Sequence, residues 1–310
     1  MIKRRTEAVQ KQIPPRRPWT NYRKRQLGES LMGGVFFITA MTSILAVALI
    51  CLFLFANGIP AMGKIGAFNF LLGRDWSPTD VPASFGVFPM ILGSLYVTAG
   101  AIIFGVPIGI LTAVFLARMC PAKLYKLIKP ALELLAGIPS IVYGFFGLTV
   151  LVPLTQDLFG GTGKSILTAS LLLGIMILPT VIGISESALR AVPEAYYEGA
   201  LALGASHNRA VYFTVLPAAK SGVFASVVLG IGRAIGETMA VVMVAGNQPV
   251  IPGGIFTGVR TLTANIVMEM GYATGLHREA LIATGVVLFV FILIINLSFS
   301  LIKRRNKNAS

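Results

Sequence analysis

Six apolar stretches, at about 31 to 56, 89 to 117, 130 to 153, 166 to 189, 216 to 245 and 280 to 302, limit what this chain can fold into more than any other feature. Each comes near the roughly 20 residues an α-helix needs to cross about 30 Å of hydrocarbon. One such stretch could be a buried helix of a soluble protein. Six of them in 310 residues, joined by short polar links, leave almost no polar face for water. Only 12% of the residues are charged, about half the share of an ordinary soluble domain. The expected fold class is all-α: a polytopic membrane protein with six transmembrane helices. Its first span follows about thirty polar residues and exceeds a signal-peptide core, so it reads as an uncleaved anchor.

The net charge of +14 would suggest nucleic acid in a soluble protein, but its distribution points elsewhere. With the N-terminus cytoplasmic, the inner segments hold twenty Lys and Arg. The outer segments hold five, namely Lys64, Arg74, Lys164, Arg260 and Arg278, and Arg233 alone lies within a span. Such asymmetry obeys the positive-inside rule and places both termini in the cytoplasm. The chain then divides into a basic leader (1–30), the first span with an outer segment (31–88), a core (89–302) and a basic tail (303–310). The Pro-rich leader reads as flexible, holding topology and touching anionic membrane lipid rather than nucleic acid.

"LFGGTGKS", residues 158–165, resembles a phosphate-gripping loop, which needs G-x-x-x-x-G-K-[ST] between a strand and a helix. The first position is Leu158, and the stretch lies in the outer link between the third and fourth spans. It reads as a glycine-rich turn and a helix start, and any nucleotide that drives the protein must bind another chain. Two cysteines, Cys51 and Cys120, and two histidines, His207 and His277, lie far apart in the sequence. Neither a disulfide, a metal site nor a bound cofactor is expected.

The outer segment from Asn57 to Phe88 is expected to form a structured cap, with Trp76, Phe85 and Phe88 as interfacial anchors. A partner could dock on it and on the second outer loop, Gly246 to Glu279. Glycine and proline recur within the spans, in "FGVPIGIL", "LAGIPSIVYGFFG", "GIMILPTVIG" and "GIGRAIGE". In a bilayer these residues mark kinks, close packing or a cavity.

Between the fourth and fifth spans lies "SESALRAVPEAYYEGALALGASHNRAVYFTVLPAAKSG". Pro193-Glu194 starts a helix that runs to about Leu203, Gly204 stops it, and Leu216-Pro217 start another. Small residues at Gly199, Ala200, Ala202, Gly204 and Ala205 leave a slim surface that could enter a groove on a partner or lie on lipid.

Here the sequence resembles the ABC-importer permeases. Glu198-Gly199-Ala200, three residues, Gly204, nine residues and Thr214-Val215-Leu216-Pro217 follow their motif E-A-A-x3-G-x9-I-x-L-P. Gly199 stands in place of the usual Ala and Thr214 in place of Ile. The resemblance implies a type I importer (MetI-like) fold and a cytoplasmic coupling loop at 190–217. That loop would seat Glu194, Glu198, Gly199, Ala200, Gly204, Leu216 and Pro217 against a separate ATPase subunit, and the chain itself would be no enzyme. "WSP", "FGVFPMILGSL", "AGIPSIVYGFFG", "VLPAAKSG" and "GRAIGETMAV" narrow the resemblance to the PstC group of phosphate-importer permeases. The related PstA group shares "RAIGET" without the tryptophan segment. This resemblance implies inorganic phosphate as cargo, a PstA-like second permease, a PstB-like ATPase dimer, an external PstS-like binding protein and a bacterial or archaeal plasma membrane.

Arg233 and Glu237, four residues apart in the fifth span, are expected on one helix face near mid-span. An intramembrane charge costs about 2.5 to 3.5 kcal/mol on insertion scales, so such groups face a partner or a wet cavity. The pair reads as part of a substrate path, with Arg233 gripping an oxyanion and Glu237 tethering it between events. An ion pair that only locks the helix is the alternative. One arginine is few for a divalent anion, which suggests that a second permease chain supplies another. An ion-coupled transporter or channel would explain the spans but not the inner loop. A membrane enzyme would need a catalytic constellation the sequence does not offer.

Overall fold

The structure is a computed structural model that describes residues 20–307. The leader's residues 1–19 and the tail's residues 308–310 lie outside the described residues. The chain forms two units, Met1–Phe53 and Leu54–Ser310.

In the first unit runs the longer part of helix α1 (Thr20–Ile65). From Leu31 to Phe53 its large apolar side chains stand exposed on every side, as Phe36, Phe37, Ile44 and Ile50 do. A helix that is apolar all round belongs in hydrocarbon. Residues 20–30, expected in the flexible leader, are helical instead. The prolines of the leader end at Pro18, and beyond them stand residues such as Arg, Lys, Gln, Leu and Glu that propagate a helix.

In the second unit the end of α1 packs on the last helix, α14 (Gly275–Lys307, which takes in residues 303–307 of the tail). Phe55 meets Phe289 edge to face at 5.7 Å. Between these two helices in sequence come α2 (Ala67–Leu72), a two-stranded hairpin of β1 (Trp76–Ser77) and β2 (Ser84–Phe85), and α3 (Phe88–Val114). The hairpin is antiparallel, with Trp76 opposite Phe85. It folds back so closely that a Cβ on Gly86 would lie 2.3 Å from the carbonyl carbon of Gly73.

The remaining helices are α4 (Ala122–Gly137), α5 (Ser140–Phe146), α6 (Val152–Phe159), α7 (Ile166–Arg190), α8 (Glu194–Ala202), α9 (His207–Ala210), α10 (Leu216–Ala218), α11 (Lys220–Gly236), α12 (Met239–Val244) and α13 (Leu262–Glu269). π-helical turns extend α3 and join α5 to α6 and α9 to α10. At the centre α3 lies along α7, and small residues permit the approach: a Cβ on Gly105 would fall 2.7 Å from the Gly174 carbonyl oxygen. Val97, Ala101, Leu172, Met176, Ile177, Val181 and Ala234 fill the core between α3, α7 and α11. The glycine-rich turn before α7 is a helix start, as its place in the chain implied. Ser165 accepts a hydrogen bond from the Thr168 N–H at 3.3 Å, and Gly160, Gly161 and Gly163 all have positive φ.

Five helices among the described residues are long and apolar enough to cross a bilayer, and a sixth span exists if the pair His207–Ala218 and Lys220–Gly236, bent by 70°, counts as one. Two spans differ from expectation. The third runs Ser140–Phe159 rather than 130 to 153, because Ile138 and Pro139 adopt extended dihedrals and separate it from α4. The fifth does not begin at Leu216-Pro217. Its first helix starts at His207, where the Ser206 hydroxyl accepts from the Arg209 N–H at 3.4 Å, and the bend falls at Ala219.

Candidate translocation path and coupling loop

α11 ends at Gly236, and Glu237 is already extended, with φ −71° and ψ 132°. This corrects the expectation that Arg233 and Glu237 share a helix face. Gly236, Glu237 and Thr238 instead form an unwound link before α12. The reason is local. The Glu237 Oε1 accepts from the backbone N–H groups of Thr238 (3.1 Å) and Ala240 (3.3 Å), supplying acceptors that the broken helix no longer provides at the start of α12. Two of the donors at the start of α12 are thereby occupied, and no ion pair joins Arg233 and Glu237 among the described interactions. Thr263 on α13 donates to the Glu237 carbonyl at 3.1 Å and holds the link in place.

Arg233 is half-buried, and its Nη1 donates to Thr180 Oγ1 on α7 at 3.2 Å. Gly232 and Gly236 neighbour it on α11, Gly183 follows Thr180 by three residues on α7, and a Cβ on any of them would meet no atom within 4 Å. The arginine thus stands beside an open, side-chain-poor surface with most of its donors uncommitted to the neighbours described. Discontinuous helices beside a cavity are how membrane carriers present polar groups to a solute. A separate cleft of about 510 Å³ between α3, α7 and the second outer loop is lined by Tyr96, Gly100, Ile103, Phe104, Ser170 and Ile255 among others. It has no charged lining residue.

The inner loop matches the expected helix and stop. α8 spans Glu194–Ala202, and Gly204 takes φ +85°, a conformation that L side chains rarely adopt. Glu198, Gly199 and Gly204 are exposed, Ala200 is half-buried, and Leu203 projects with 92% of its surface open. Leu216 packs against the inner core while Pro217 is exposed at the bend. Glu194 does more than start the helix: its Oε2 accepts from Arg118 Nη1 at 2.7 Å, and Arg118 Nη2 also donates to the Leu189 carbonyl at 3.1 Å.

Two charged clusters escaped the sequence reading. At the end of the bundle that carries the coupling loop, the buried Glu186 of α7 receives Lys129 Nζ (2.8 Å), Tyr125 hydroxyl (2.7 Å) and Arg190 Nε (2.8 Å). Hydrogen bonding to that carboxylate holds the Lys129 ammonium and the Tyr125 hydroxyl above their ordinary pKa values, so both keep their protons at neutral pH. At the opposite end, the buried Glu269 receives Arg260 Nη1 (2.5 Å) on one oxygen. On the other it receives Trp76 Nε1 (2.9 Å), and His277 Nε2 lies at 2.8 Å. Trp76 is therefore a buried donor with 6% exposure rather than an interfacial anchor. A signal for Glu186 did exist, since it is a carboxylate within an otherwise apolar span.

The sequence profile of the family described as "Binding-protein-dependent transport system inner membrane component" matches residues 105–308. The chain is 39% identical over 280 residues to the probable ABC transporter permease protein YqgH of Bacillus subtilis, covering 87% of this chain and 91% of that one. It is 34% identical over 313 residues to the phosphate transport system permease protein PstC of Mesorhizobium japonicum, covering 93% and 94%. Among solved structures, an inward-facing MetNI methionine ABC transporter aligns with a TM-score of 0.57 at 22% identity, over 71% of this chain and 95% of that one. A bacterial alginate importer aligns at 0.56 and 16%, over 89% and 99%. These two share the fold, which is that of MetI-type importer permeases. Five or six spans among the described residues, an exposed loop with its motif and a profile over most of the chain agree: the chain is a multi-pass membrane protein that belongs to the binding-protein-dependent transport system inner membrane components, the permease subunits of ABC importers, among the relatives called PstC.

Proposed function

We propose that this permease carries inorganic phosphate inward across a bacterial or archaeal plasma membrane. Arg233 guides the anion along a path completed by a PstA-like second permease. A PstB-like ATPase dimer receives the coupling helix α8 with Glu194, Glu198, Gly199, Ala200 and Gly204, while Leu216 and Pro217 carry the bend behind it. An external PstS-like protein delivers phosphate to the outer face. The observation that carries the reading is Arg233, half-buried at a break between helices and flanked by glycines that leave its approach open. A guanidinium offers two parallel donors to two oxygens of a tetrahedral anion. Glu237, drawn to the backbone of α12, does not compete for them. The relatives named for phosphate transport support the choice of cargo.

The test is reconstitution of the complete complex in vesicles with ATP enclosed and radiolabelled phosphate plus binding protein outside. Uptake that requires ATP and survives collapse of the proton gradient is expected. Uptake that follows the proton gradient instead would reject the mechanism, and preference for sulfate over phosphate would reject the cargo.

A further inference from the structure

We propose that Glu186 is the positioning residue that makes the coupling helix and the membrane bundle move as one body. The inference rests on the proposed function and concerns how the loop's motion reaches the path. Glu186 is 1% exposed, and its two oxygens are shared among three donors from two helices. Lys129 and Tyr125 come from α4, and Arg190 from the last turn of α7 itself. Arg190 Nη2 reaches on to the Leu116 carbonyl at 2.9 Å, in the π-helical turn that ends α3. Arg118, in the same turn, binds Glu194, the first residue of the coupling helix. The inner ends of α3, α4 and α7 and the start of α8 are therefore joined by charge-assisted hydrogen bonds, among which Glu186 alone holds α4.

From α4 the connection continues toward Arg233. The Tyr143 hydroxyl donates to the Leu135 carbonyl at 2.7 Å, bridging the extended break at Ile138-Pro139. One residue on, Gly144 packs so tightly on α12 that a Cβ would stand 3.0 Å from Ala240 Cα. α12 begins at the unwound link that follows Arg233. A push on α8 is thus passed to α4 through Glu186 and from α4 to the link. A buried charge is a costly way to gain mere stability, because apolar residues of equal volume usually serve as well. A contact that holds only at one separation and orientation suits a joint.

The complex is reconstituted with Glu186→Gln, with Glu186→Asp and with the pair Lys129→Met and Tyr125→Phe, and phosphate imported per ATP hydrolysed is measured. For Glu186→Gln and for the pair, hydrolysis should persist while the ratio falls about tenfold, and Glu186→Asp should recover part of it. A purely architectural role would lower uptake and hydrolysis together, with the amount of intact complex, and leave the ratio unchanged; that result overturns the proposal. If Glu186→Gln does not accumulate, the pair, altered on the more accessible side of the joint, decides by the same criterion. A wild-type complex without ATP-driven uptake would overturn the proposed function itself, whereas a coupled wild type beside coupled variants would overturn the role of Glu186 alone.

Discussion

At the scale of single residues, Arg233 and Glu237 have parted roles. Charge-assisted hydrogen bonds contribute about 1.5 to 3 kcal/mol, so Arg233→Gln should lower the rate of uptake by about ten- to a hundredfold with the protein still in the membrane. Arg233→Lys should keep part of the rate, since an ammonium lacks the two-pronged geometry. Glu237 already satisfies two backbone N–H groups, so losing Arg233 leaves it no worse placed. The double variant Arg233→Gln, Glu237→Gln should therefore transport no better than Arg233→Gln alone, and restored uptake would show that the charges act as a lock. Glu237→Gln keeps an acceptor for the cap, whereas Glu237→Ala should lower stability by about 1 kcal/mol. The sequence identified Arg233 as a polar intruder in an apolar span, but not its separation from Glu237. A spacing of four predicts one face only where the helix continues, and here it ends at Gly236.

At the scale of elements, the coupling loop and the outer cap invite different tests. Gly204 has φ +85° and open space around it. Gly204→Ala should therefore cost about 1 to 2 kcal/mol of local strain and reduce uptake modestly. Gly204→Trp adds bulk at the proposed ATPase contact and should abolish ATP-driven uptake while insertion proceeds; normal uptake by that variant would exclude the loop as the docking element. Glu198→Ala should weaken assembly less. In the cap, Glu269→Ala strands Arg260, 13% exposed at its side chain, and should cost about 3 to 5 kcal/mol. Trp76→Phe removes one donor and should lower the melting temperature of the purified protein by less. Helix starts and stops at Glu194 and Gly204 were legible because proline, glycine and acidic residues act locally. The Glu269 cluster was not, because Trp76 lies 193 positions from Glu269 and reaches it only after folding.

For the whole molecule, orientation is the testable property. In a background with Cys51 and Cys120 replaced by serine, a cysteine at Val81, 99% exposed at the tip of the hairpin, should react with an impermeant thiol reagent added outside. A cysteine at Asn208, exposed beside the coupling helix, should react only once the membrane is opened. Reversed labelling would invert the assignment of every loop. The spans were readable because hydrocarbon thickness acts on stretches of about twenty residues at a time, and charge asymmetry sets the expected orientation. The late start of the third span and the bend in the fifth were not, because extended backbone at Ile138-Pro139 or a bend at Ala219 leaves the average hydropathy unchanged.

The bond between Trp76 and Glu269 also places the cap in time. The two residues lie 193 positions apart, and a ribosome adds about 5 to 20 residues per second. The nascent hairpin must then wait about 10 to 40 seconds with its indole unpartnered before the carboxylate that closes it is made. Arg260 and His277 emerge around the same moment, so the outer face closes in a single late step, after the fifth span has entered the membrane and as the sixth begins. A chain truncated before Glu269 should leave the ribosome with its inner core assembled and its outer cap open to protease.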